Sequence, residues 1–333
     1  MQIAVDAMGG DRAPRVVVQG AVEAALEWGI DVILVGDAKE IQGALKDYPK
    51  TDRVEIHHCD EKILMDEQPL KAVRKKKKAS ITVAFELVKK GRADAVVSAG
   101  NSGATLASAI ITLGKIEGIE RPGFAGIFPG YKDNVIVIDV GANVDCRPVH
   151  LFQFGITGHA LGSAFLGMRN PRVGLLSIGE EGGKGNEQVR IAHELFRDSD
   201  LNFAGNVEGR DIFTGRVQVI VCDGFVGNVV LKLSEGMAET VTKMVEDSMT
   251  DSLPGKIGFL FARHGFEKLK GKLDYSEYGG VPILGIKGVC IVCHGGSSSK
   301  AIKNAVKMAD SYAAKNVQAE ISICLERYGK KVS

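Results

Sequence analysis

A chain of 333 residues with 45% hydrophobic and 25% charged side chains has the size and composition of a globular protein with one large α/β domain or two modest ones. Its net charge of +1 excludes a general electrostatic attraction to nucleic acid, so we expect no nucleic-acid partner. No basic segment precedes the first apolar run, which Asp6 interrupts, and no apolar run reaches the roughly 18 residues of a membrane span. We therefore expect a cytoplasmic protein whose six cysteines are reduced thiols.

The predicted elements repeat one pattern, in which a short apolar strand runs into a glycine-containing loop and often a helix. Several of the strands are apolar almost throughout, which is typical of strands buried on both faces of a parallel sheet. The pattern predicts an α/β sheet of the doubly wound or a related type. Since ligands of such sheets bind beyond the carboxyl ends of the strands, we expect the loops to converge on one cleft. The strands are predicted at residues 2–6, 31–35, 93–98, 134–140, 173–178 and 217–222.

A helical excursion from the sheet is predicted near residues 234–275. Apolar residues recur at helical spacing from 234 to about 249, and the Leu-Pro-Gly sequence at 253–255 breaks the chain. We find no clear linker and no repeat of the solenoid type. The sequence therefore predicts one domain, 1–333, that contains this excursion.

The glycine-rich loop at residues 179–186 is the clearest candidate for a binding site. It lies between a predicted strand and a helix, where backbone amides and the helix N-terminus attract an anion, and Lys184 adds a full positive charge. It is not a Walker A loop, because Gly185 stands where Ser or Thr would bind magnesium. The alternative is an ordinary strand-to-helix turn with a solvated lysine.

The loop at residues 223–228 has the same placement. Asn228 is suited to donate to a phosphate or carbonyl oxygen, and Asp223 to orient a base; the alternative role for Asp223 is that of a helix N-cap. The segments 98–103 and 139–143 combine glycine with small polar residues, which permits close approach of a substrate but is also ordinary turn chemistry. Arg210 is a further candidate anion ligand.

His294 closes the last predicted apolar strand. A neutral histidine at such a strand end is suited to act as an acid or base near pH 7, and a structural histidine is the alternative. Cys290 and Cys293 with His294 match the haem-attachment pattern C-x-x-C-H. Because this motif closes a buried strand and no second cysteine pair accompanies it, we expect neither haem nor a metal site.

Two surface patches suggest partners. The basic cluster at 71–78, with Arg74, Lys75, Lys76 and Lys77 at its centre, is either a solvated helix face or a docking surface for an acidic protein. The second patch, which we name the apolar cluster, fits either a bilayer interface or a dimer interface. It consists of Ile257, Phe259, Leu260 and Phe261.

Several motifs, in this order along the chain, resemble the bacterial phosphate acyltransferase family, PlsX. They are DAMGGD at 6–11, SAGNSGA at 98–104, DVGAN at 139–143, KGN at 184–186, GNVEGRD at 205–211, DGFVGN at 223–228, and YGG at 278–280 with HG at 294–295. The resemblance covers nearly the whole chain. It implies a three-layer αβα fold with a largely parallel central sheet, related to phosphotransacetylase and the isocitrate/isopropylmalate dehydrogenases.

The resemblance also implies an activity and partners. The activity is transfer of a fatty acyl group from acyl-[acyl carrier protein] to inorganic phosphate, which gives acyl phosphate for phospholipid synthesis. A homodimer without a cofactor is implied, as is a cytosolic protein in peripheral contact with the membrane. The partners would be the acyl carrier protein, docked on the basic cluster, and a downstream membrane glycerol-3-phosphate acyltransferase.

In that reaction phosphate is already a nucleophile, so the site must position it and stabilise the tetrahedral oxyanion. We expect Lys184 and Asn228 to be catalytic, with Asp223 and His294 behind them. The residues expected to bind phosphate or substrate are Gly100, Asn101, Ser102, Asn143, Gly185, Asn186, Arg210, Gly224 and Gly227.

Three other functions stay open to different degrees. A dehydrogenase that uses NAD is disfavoured, because no G-x-G-x-x-G follows the first strand. A phosphotransacetylase acting on a small acyl-coenzyme A is less consistent with the basic and apolar clusters. A non-enzymatic scaffold recruited to the membrane leaves the glycine-rich strand ends unexplained.

Overall fold

The computed structural model describes residues 1–329, while residues 330–333 and the side chains of Leu253, Leu273 and Tyr275 lie outside what it describes. The predicted domain, 1–333, thus extends past the described residues. The strands are β1 (Gln2–Asp6), β2 (Asp31–Gly36), β3 (Val54–His58), β4 (Ala95–Ser98), β5 (Gly123–Phe128), β6 (Val135–Ile138), β7 (Val173–Leu176), β8 (Phe203–Val207), β9 (Val219–Val221), β10 (Val281–Leu284) and β11 (Val289–Val292). The helices are α1 (Arg15–Trp28), α2 (Ala38–Leu45), α3 (Pro69–Lys75), α4 (Ser80–Lys89), α5 (Ser102–Thr112), α6 (Pro148–Ala164), α7 (Glu187–Arg197), α8 (Gly224–Thr250), α9 (Leu253–Leu273), α10 (Ser299–Ala314) and α11 (Val317–Tyr328).

One sheet of eleven strands runs through the described part of the chain, in the order β3-β2-β1-β4-β11-β10-β5-β6-β9-β7-β8. Most neighbouring strands are parallel; the antiparallel pairs are β11 with β10, β10 with β5, and β5 with β6. The predicted, largely parallel sheet is therefore confirmed.

Strands β10 and β5, each antiparallel to both of its neighbours, separate two parallel halves that run in opposite directions. The carboxyl ends of β1, β4 and β11 form what we name the first edge, and those of β6, β7 and β9 form the second edge, on the opposite side of the sheet. The loops that were expected to converge on one cleft therefore start from both edges of the sheet. The reason is that β5 and β10, which were not among the predicted strands, reverse the direction of the chain.

Helices cover both faces of the sheet and give it three layers. Helices α1, α6, α10 and α11 pack on one face, and α3, α4 and α5 on the other. Alternate side chains of each strand enter opposite cores, as the period of two in a strand requires: Ile3 and Val5 face the first group of helices, and Ala4 faces the second. This arrangement confirms the three-layer αβα fold.

Helices α8 and α9 form a hairpin that corresponds to the predicted excursion. Helix α8 starts on the sheet, against β5 and β6, and α9 packs back along it. Ser252 caps α9 by accepting a hydrogen bond at its Oγ from the Gly255 amide at 3.1 Å. Pro254 occupies the first turn of α9, where an N–H group would have no hydrogen-bond partner within the helix, so the N–H that proline lacks is not needed. The predicted break at 253–255 is thus the beginning of a helix.

Candidate active site

The Asp139 carboxylate organises the loop that follows β6 at the second edge. Its Oδ1 accepts from the amides of Phe124, Gly141 and Ala142 at 3.0, 3.1 and 2.9 Å. Its Oδ2 accepts from both the backbone and the side-chain nitrogen of Asn143. Burial raises the pKa of Asp139, and these donors oppose that rise. Asn143 is buried, and its side-chain nitrogen serves the loop.

The next loop at this edge leads from β9 into α8. Asp223 caps the helix, because its Oδ1 accepts from the Val226 amide at 2.9 Å. Gly224 and Gly227 let α8 approach the Asp139 loop: a Cβ on Gly227 would lie 1.8 Å from the Asp139 carbonyl oxygen. Packing thus gives a physical reason for both glycines.

Asn228 lies in the second turn of α8, over the Asp139 loop. A Cβ on Gly141 would lie 3.7 Å from the Cβ of Asn228, and the φ of Gly141, +140°, is one that residues with side chains rarely adopt. The exposed Asn228 amide therefore stands beside bare backbone. This combination suits a ligand that needs close approach to hydrogen-bond donors.

A buried network joins two loops at the first edge. Ser98 Oγ donates to Asp6 Oδ2 at 2.8 Å and accepts from the Gly100 amide at 3.1 Å. Gly9 lies so close that a Cβ there would be 2.5 Å from Asp6 Oδ2. Burial raises the pKa of Asp6, and its hydrogen bonds oppose that rise. The Gly100 amide, which was expected to bind phosphate or substrate, therefore donates its hydrogen bond to a side chain of the protein.

Asn101 connects the same edge to the segment before α3. Its Oδ1 caps α5 by accepting from the Ala104 amide at 3.0 Å, and its Nδ2 donates to the carbonyl oxygens of Met65 and Glu67 at 2.9 and 3.2 Å. The Asn101 side chain is thus structural. Ser102, the first residue of α5, remains exposed.

His294 and Ser297 lie in the loop between β11 and α10. His294 Nδ1 accepts from the Gly296 amide at 3.2 Å, which leaves the proton of the neutral ring on Nε2. Ser297 is buried, and its Oγ has no hydrogen-bond partner among the described residues. Ser298 caps α10, because its Oγ accepts from the Ala301 amide at 3.2 Å. Arg12 holds the loop by donating to the Gly296 and Ser297 carbonyl oxygens at 2.7 and 2.8 Å.

A cavity of about 400 Å³ lies between α8 and β5 and connects the two edges of the sheet. Gly141 and Asn228 line it on the side of the second edge, and Ser102, His294 and Ser297 on the side of the first. The wall between them is largely apolar. The wall residues include Phe124, Gly126, Phe128, Val140, Leu231, Ala238, Val281 and Val292. This combination fits a ligand with a hydrocarbon chain and a polar or anionic head.

The predicted anion loop at 179–186 lies at the second edge but does not line this cavity. Lys184 is exposed and forms no ion pair with the described residues. Asn186 caps α7 by accepting from the Val189 amide at 2.9 Å, and Gly185 has a φ of +104°. Arg210, also exposed, pairs with Glu208. The structure therefore brings Asn228, Ser102 and His294 together in one cavity and leaves Lys184, Gly185, Asn186 and Arg210 outside it.

Among the cavity-lining residues that were not predicted as site residues are Lys232, Glu235 and Tyr278. Lys232 and Glu235 lie on α8, and Tyr278 follows α9. The spacing of Asn228, Lys232 and Glu235 at i, i+4 and i+7 places them on one helix face, which sequence alone could have revealed. That this face covers a cavity depends on the seating of α8 on β5.

The basic cluster adjoins the first edge. Pro69, the first residue of α3, lies so close to Gly103 that a Cβ there would be 2.7 Å from the proline Cγ. Arg74, Lys75 and Lys77 are exposed. Lys76 is different, because its Nζ donates to the Lys62 carbonyl at 2.9 Å and pairs with Glu67. Lys76 is therefore not among the residues of the cluster whose charge is free to bind a partner.

The apolar cluster lies on α9. Ile257, Leu260 and Phe261 are exposed, Phe261 to 85%, whereas the ring of Phe259 packs edge-on against Phe266 at 5.3 Å. Within the described residues, no helix is long and apolar enough to cross a bilayer. Three of the four cluster residues are thus available to a surface partner.

All six cysteines are buried and unpaired. Burial raises the pKa of every one of these thiols, for Cys293 in the cavity wall to about 12. Such thiols are poor nucleophiles and poor metal ligands. Within residues 1–329 no group of three or more His, Cys, Asp or Glu side chains could hold a metal ion.

Comparison with known proteins adds a family. A family model described as fatty acid synthesis protein matches residues 1–320. The phosphate acyltransferase of Geobacter sulfurreducens is 51% identical over 327 residues, which cover 98% of this chain and 94% of the relative. That of Geotalea uraniireducens is 53% identical over 323 residues, covering 97% and 93%.

Solved structures share the fold at low identity. A phosphotransacetylase from Streptococcus pyogenes matches with a TM-score of 0.65 and 18% identity, over 95% of this chain and 94% of that one. A branched-chain phosphotransacylase from Enterococcus faecalis matches with a TM-score of 0.55 and 14% identity, over 93% and 98%. The expected relation to the phosphotransacetylase fold is confirmed.

Proposed function

Because the chain belongs to the fatty acid synthesis protein family, and within it to the phosphate acyltransferases, we propose that it transfers a fatty acyl group from acyl-[acyl carrier protein] to inorganic phosphate. The product would be acyl phosphate for phospholipid synthesis. The observation that carries this proposal is the cavity under α8, which has an apolar wall between polar ends. A fatty acyl chain suits the wall, and phosphate and thioester suit the ends.

The chemistry needs little beyond positioning. A phosphate oxygen attacks the thioester carbonyl carbon, a C–O bond forms, and negative charge collects on the carbonyl oxygen. Collapse of this intermediate breaks the C–S bond, and the carrier thiolate leaves and takes up a proton. Donors that are fixed before the reaction stabilise the oxyanion without reorganising.

The residues take roles that follow from their places. Asn228 donates from its side-chain amide beside the bare Gly141 backbone, and Asp223, Gly224, Gly227 and Asn143 hold it there. His294, with its proton on Nε2, and Ser102 line the end where the donor enters. Gly100 and Asn101 shape that end. Outside the cavity, at the second edge, we propose that Lys184, Arg210, Gly185 and Asn186 attract phosphate from solvent.

The basic cluster gives the carrier protein a place to dock. Arg74 and Lys75 lie on α3 and Lys77 in the turn after it, and the first residue of α3, Pro69, packs against Gly103, next to Ser102 at the cavity end. An acidic carrier held there would present its thioester to the cavity, and complementary charge would speed the encounter. Lys76 supports the cluster internally.

Two exposed surfaces support two further proposals, that the protein forms a homodimer and that it contacts a membrane surface. The outward face of α8 carries exposed apolar residues at helical spacing, which fit a homodimer interface. The exposed apolar cluster on α9 fits contact with a membrane surface, where a glycerol-3-phosphate acyltransferase would consume the acyl phosphate. The exposed apolar residues on the outward face of α8, which we name the stripe, are Val229, Leu233, Met237, Val241 and Met244.

The deciding experiment follows free thiol after mixing the protein with palmitoyl-carrier protein or palmitoyl-coenzyme A, with and without phosphate. We expect phosphate-dependent release from the carrier donor, and a raised KM for phosphate in Lys184→Ala, because that lysine would no longer attract phosphate from solvent. Reversal of Arg74, Lys75 and Lys77 to glutamate should raise KM for the carrier donor about tenfold, whereas Arg169→Glu with Arg190→Glu, in the other half of the sheet, should not. Release from coenzyme A alone would make the protein a phosphotransacetylase, and no release from either donor would overturn the proposal.

A further inference from the structure

Lys232 occupies the middle of the α8 face that covers the cavity. Asn228 precedes it by four residues and Glu235 follows it by three, so the three side chains project from one side of the helix into the same space. Leu231, Ser234 and Ala238 complete this face, and of these three only Ser234, two residues from Lys232, is polar. The polar groups on α8 are therefore concentrated around Lys232.

The charges in the cavity are few. Among the described residues that line it, Lys232 is the only lysine or arginine and Glu235 the only carboxylate. Lys232 Nζ lies 3.1 Å from Glu235 Oε2, and the two side chains are 47% and 21% exposed. An ammonium with a single carboxylate partner keeps donors free for a second anion.

The surroundings of this pair also suit a ligand. On one side lies the Asn228 amide over the bare Gly141 backbone, and the Ser297 hydroxyl in the cavity wall is buried without a partner among the described residues. Unpaired buried donors are costly unless a ligand satisfies them. The cavity thus offers donors that the protein itself does not use.

We infer that Lys232 binds the phosphate nucleophile in this cavity and that Glu235 holds the Lys232 ammonium in place and competes with phosphate for it. This inference rests on the proposed function. Phosphate is the stronger competitor when present, because at neutral pH it carries more charge than a carboxylate and offers more acceptor oxygens. Glu235 then stands beside a bound anion and weakens its binding through repulsion.

The test is a pair of variants with opposite expected effects, measured as KM for phosphate at a saturating concentration of palmitoyl-carrier protein. Lys232→Met removes the cation and should raise KM for phosphate about tenfold or more, and Lys232→Arg should restore part of the loss. Glu235→Gln keeps the size of the side chain and should lower KM for phosphate. Lys243→Met, on the same helix but outside this cavity, is the matched control and should leave KM unchanged.

Stabilisation by inorganic phosphate gives a second measurement that needs no turnover. Phosphate should raise the melting temperature of the wild type and of Glu235→Gln, and much less that of Lys232→Met. Folded Lys232→Met and Glu235→Gln proteins with the wild-type KM and the wild-type phosphate stabilisation would overturn the inference. If the wild-type protein transfers no acyl group to phosphate, the proposed function itself is wrong. The comparison of variants with the wild type tests only the role of Lys232, so the two failures are distinguishable.

Discussion

His150, at the start of α6, is held as a neutral side chain. Its Nδ1 accepts from the Arg147 amide at 3.0 Å, and its Nε2 donates to Glu120 at 3.1 Å. Burial, with the positive charges of Arg121 and Arg147, lowers the pKa of His150 from 6.5 to about 4. The nearby Glu120 carboxylate does not reverse this direction, because protonation would place a proton on Nδ1 against the Arg147 N–H.

This shift predicts a loss of stability in mild acid. Between pH 6.5 and about 4 the unfolded chain binds a proton at His150 that the folded protein does not, so the free energy of unfolding falls as the pH falls. His150→Gln keeps an acceptor and a donor without a titrating group, and it should flatten this dependence. Urea unfolding of both proteins at several pH values measures the free energy of unfolding as a function of pH. If that free energy falls equally steeply with falling pH in both proteins, the prediction is contradicted.

The residues predicted for the site at strand ends take two kinds of position in the structure. Ser102, Asn228 and His294 line the cavity, whereas the side chains of Asn101, Asn186 and Asp223 cap helices. A strand end and a helix start share the same loop, so the same polar residues suit a ligand and a cap. Which role a residue takes depends on what packs over the loop, and a local sequence pattern does not contain that information.

Helix α8 is the element on which the candidate site depends. Its inner face covers the cavity from Asn228 to Ala238 while its first turn packs on the Asp139 loop. The helix was predictable from its apolar spacing. Its neighbour β5, Gly123–Phe128, was not, because two of its six residues are glycine and the apolar run is short. Pro282 likewise obscures β10.

The apolar wall predicts that a larger side chain on α8 will shorten the acyl group that the cavity accepts. Ala238→Phe fills space beneath the helix, so kcat/KM for palmitoyl donors relative to octanoyl donors should fall about tenfold. Thr240→Phe, exposed on the same helix, is the matched control and should keep the wild-type ratio. An unchanged ratio in a folded Ala238→Phe protein would place the acyl chain elsewhere.

At the scale of the whole molecule, residues 1–329 form two parallel half-sheets of opposite direction, and the cavity described above lies across their junction. The fold class followed from the alternation of strands and helices and from the family resemblance, which are both confirmed. The reversal did not follow, since it depends on strands that are far apart in sequence, β10 and β5, pairing at the centre. The cavity therefore draws on loops from both edges.

The exposed stripe on α8 predicts how the molecule assembles. Leu233→Glu with Met237→Glu would place charges in the proposed dimer interface and should yield monomers in light scattering, whereas Ile323→Glu, at an exposed position on α11, should not. Leu260→Glu, on α9, should reduce binding to anionic liposomes and leave the dimer intact. If the Leu233→Glu, Met237→Glu protein still dimerises, the stripe is not the dimer interface. If Leu260→Glu binds liposomes as well as the wild type, the apolar cluster is not the membrane contact.

The burial of all six cysteines has a practical consequence for the assay of this protein. A thiol whose pKa is about 12 is thiolate only to about one part in ten thousand at pH 8, and burial also keeps a reporter dye away from it. The native enzyme should therefore contribute almost no background colour in a thiol-reactive assay. A rising background at zero substrate would then report unfolding, so that one cuvette follows both turnover and the integrity of the protein.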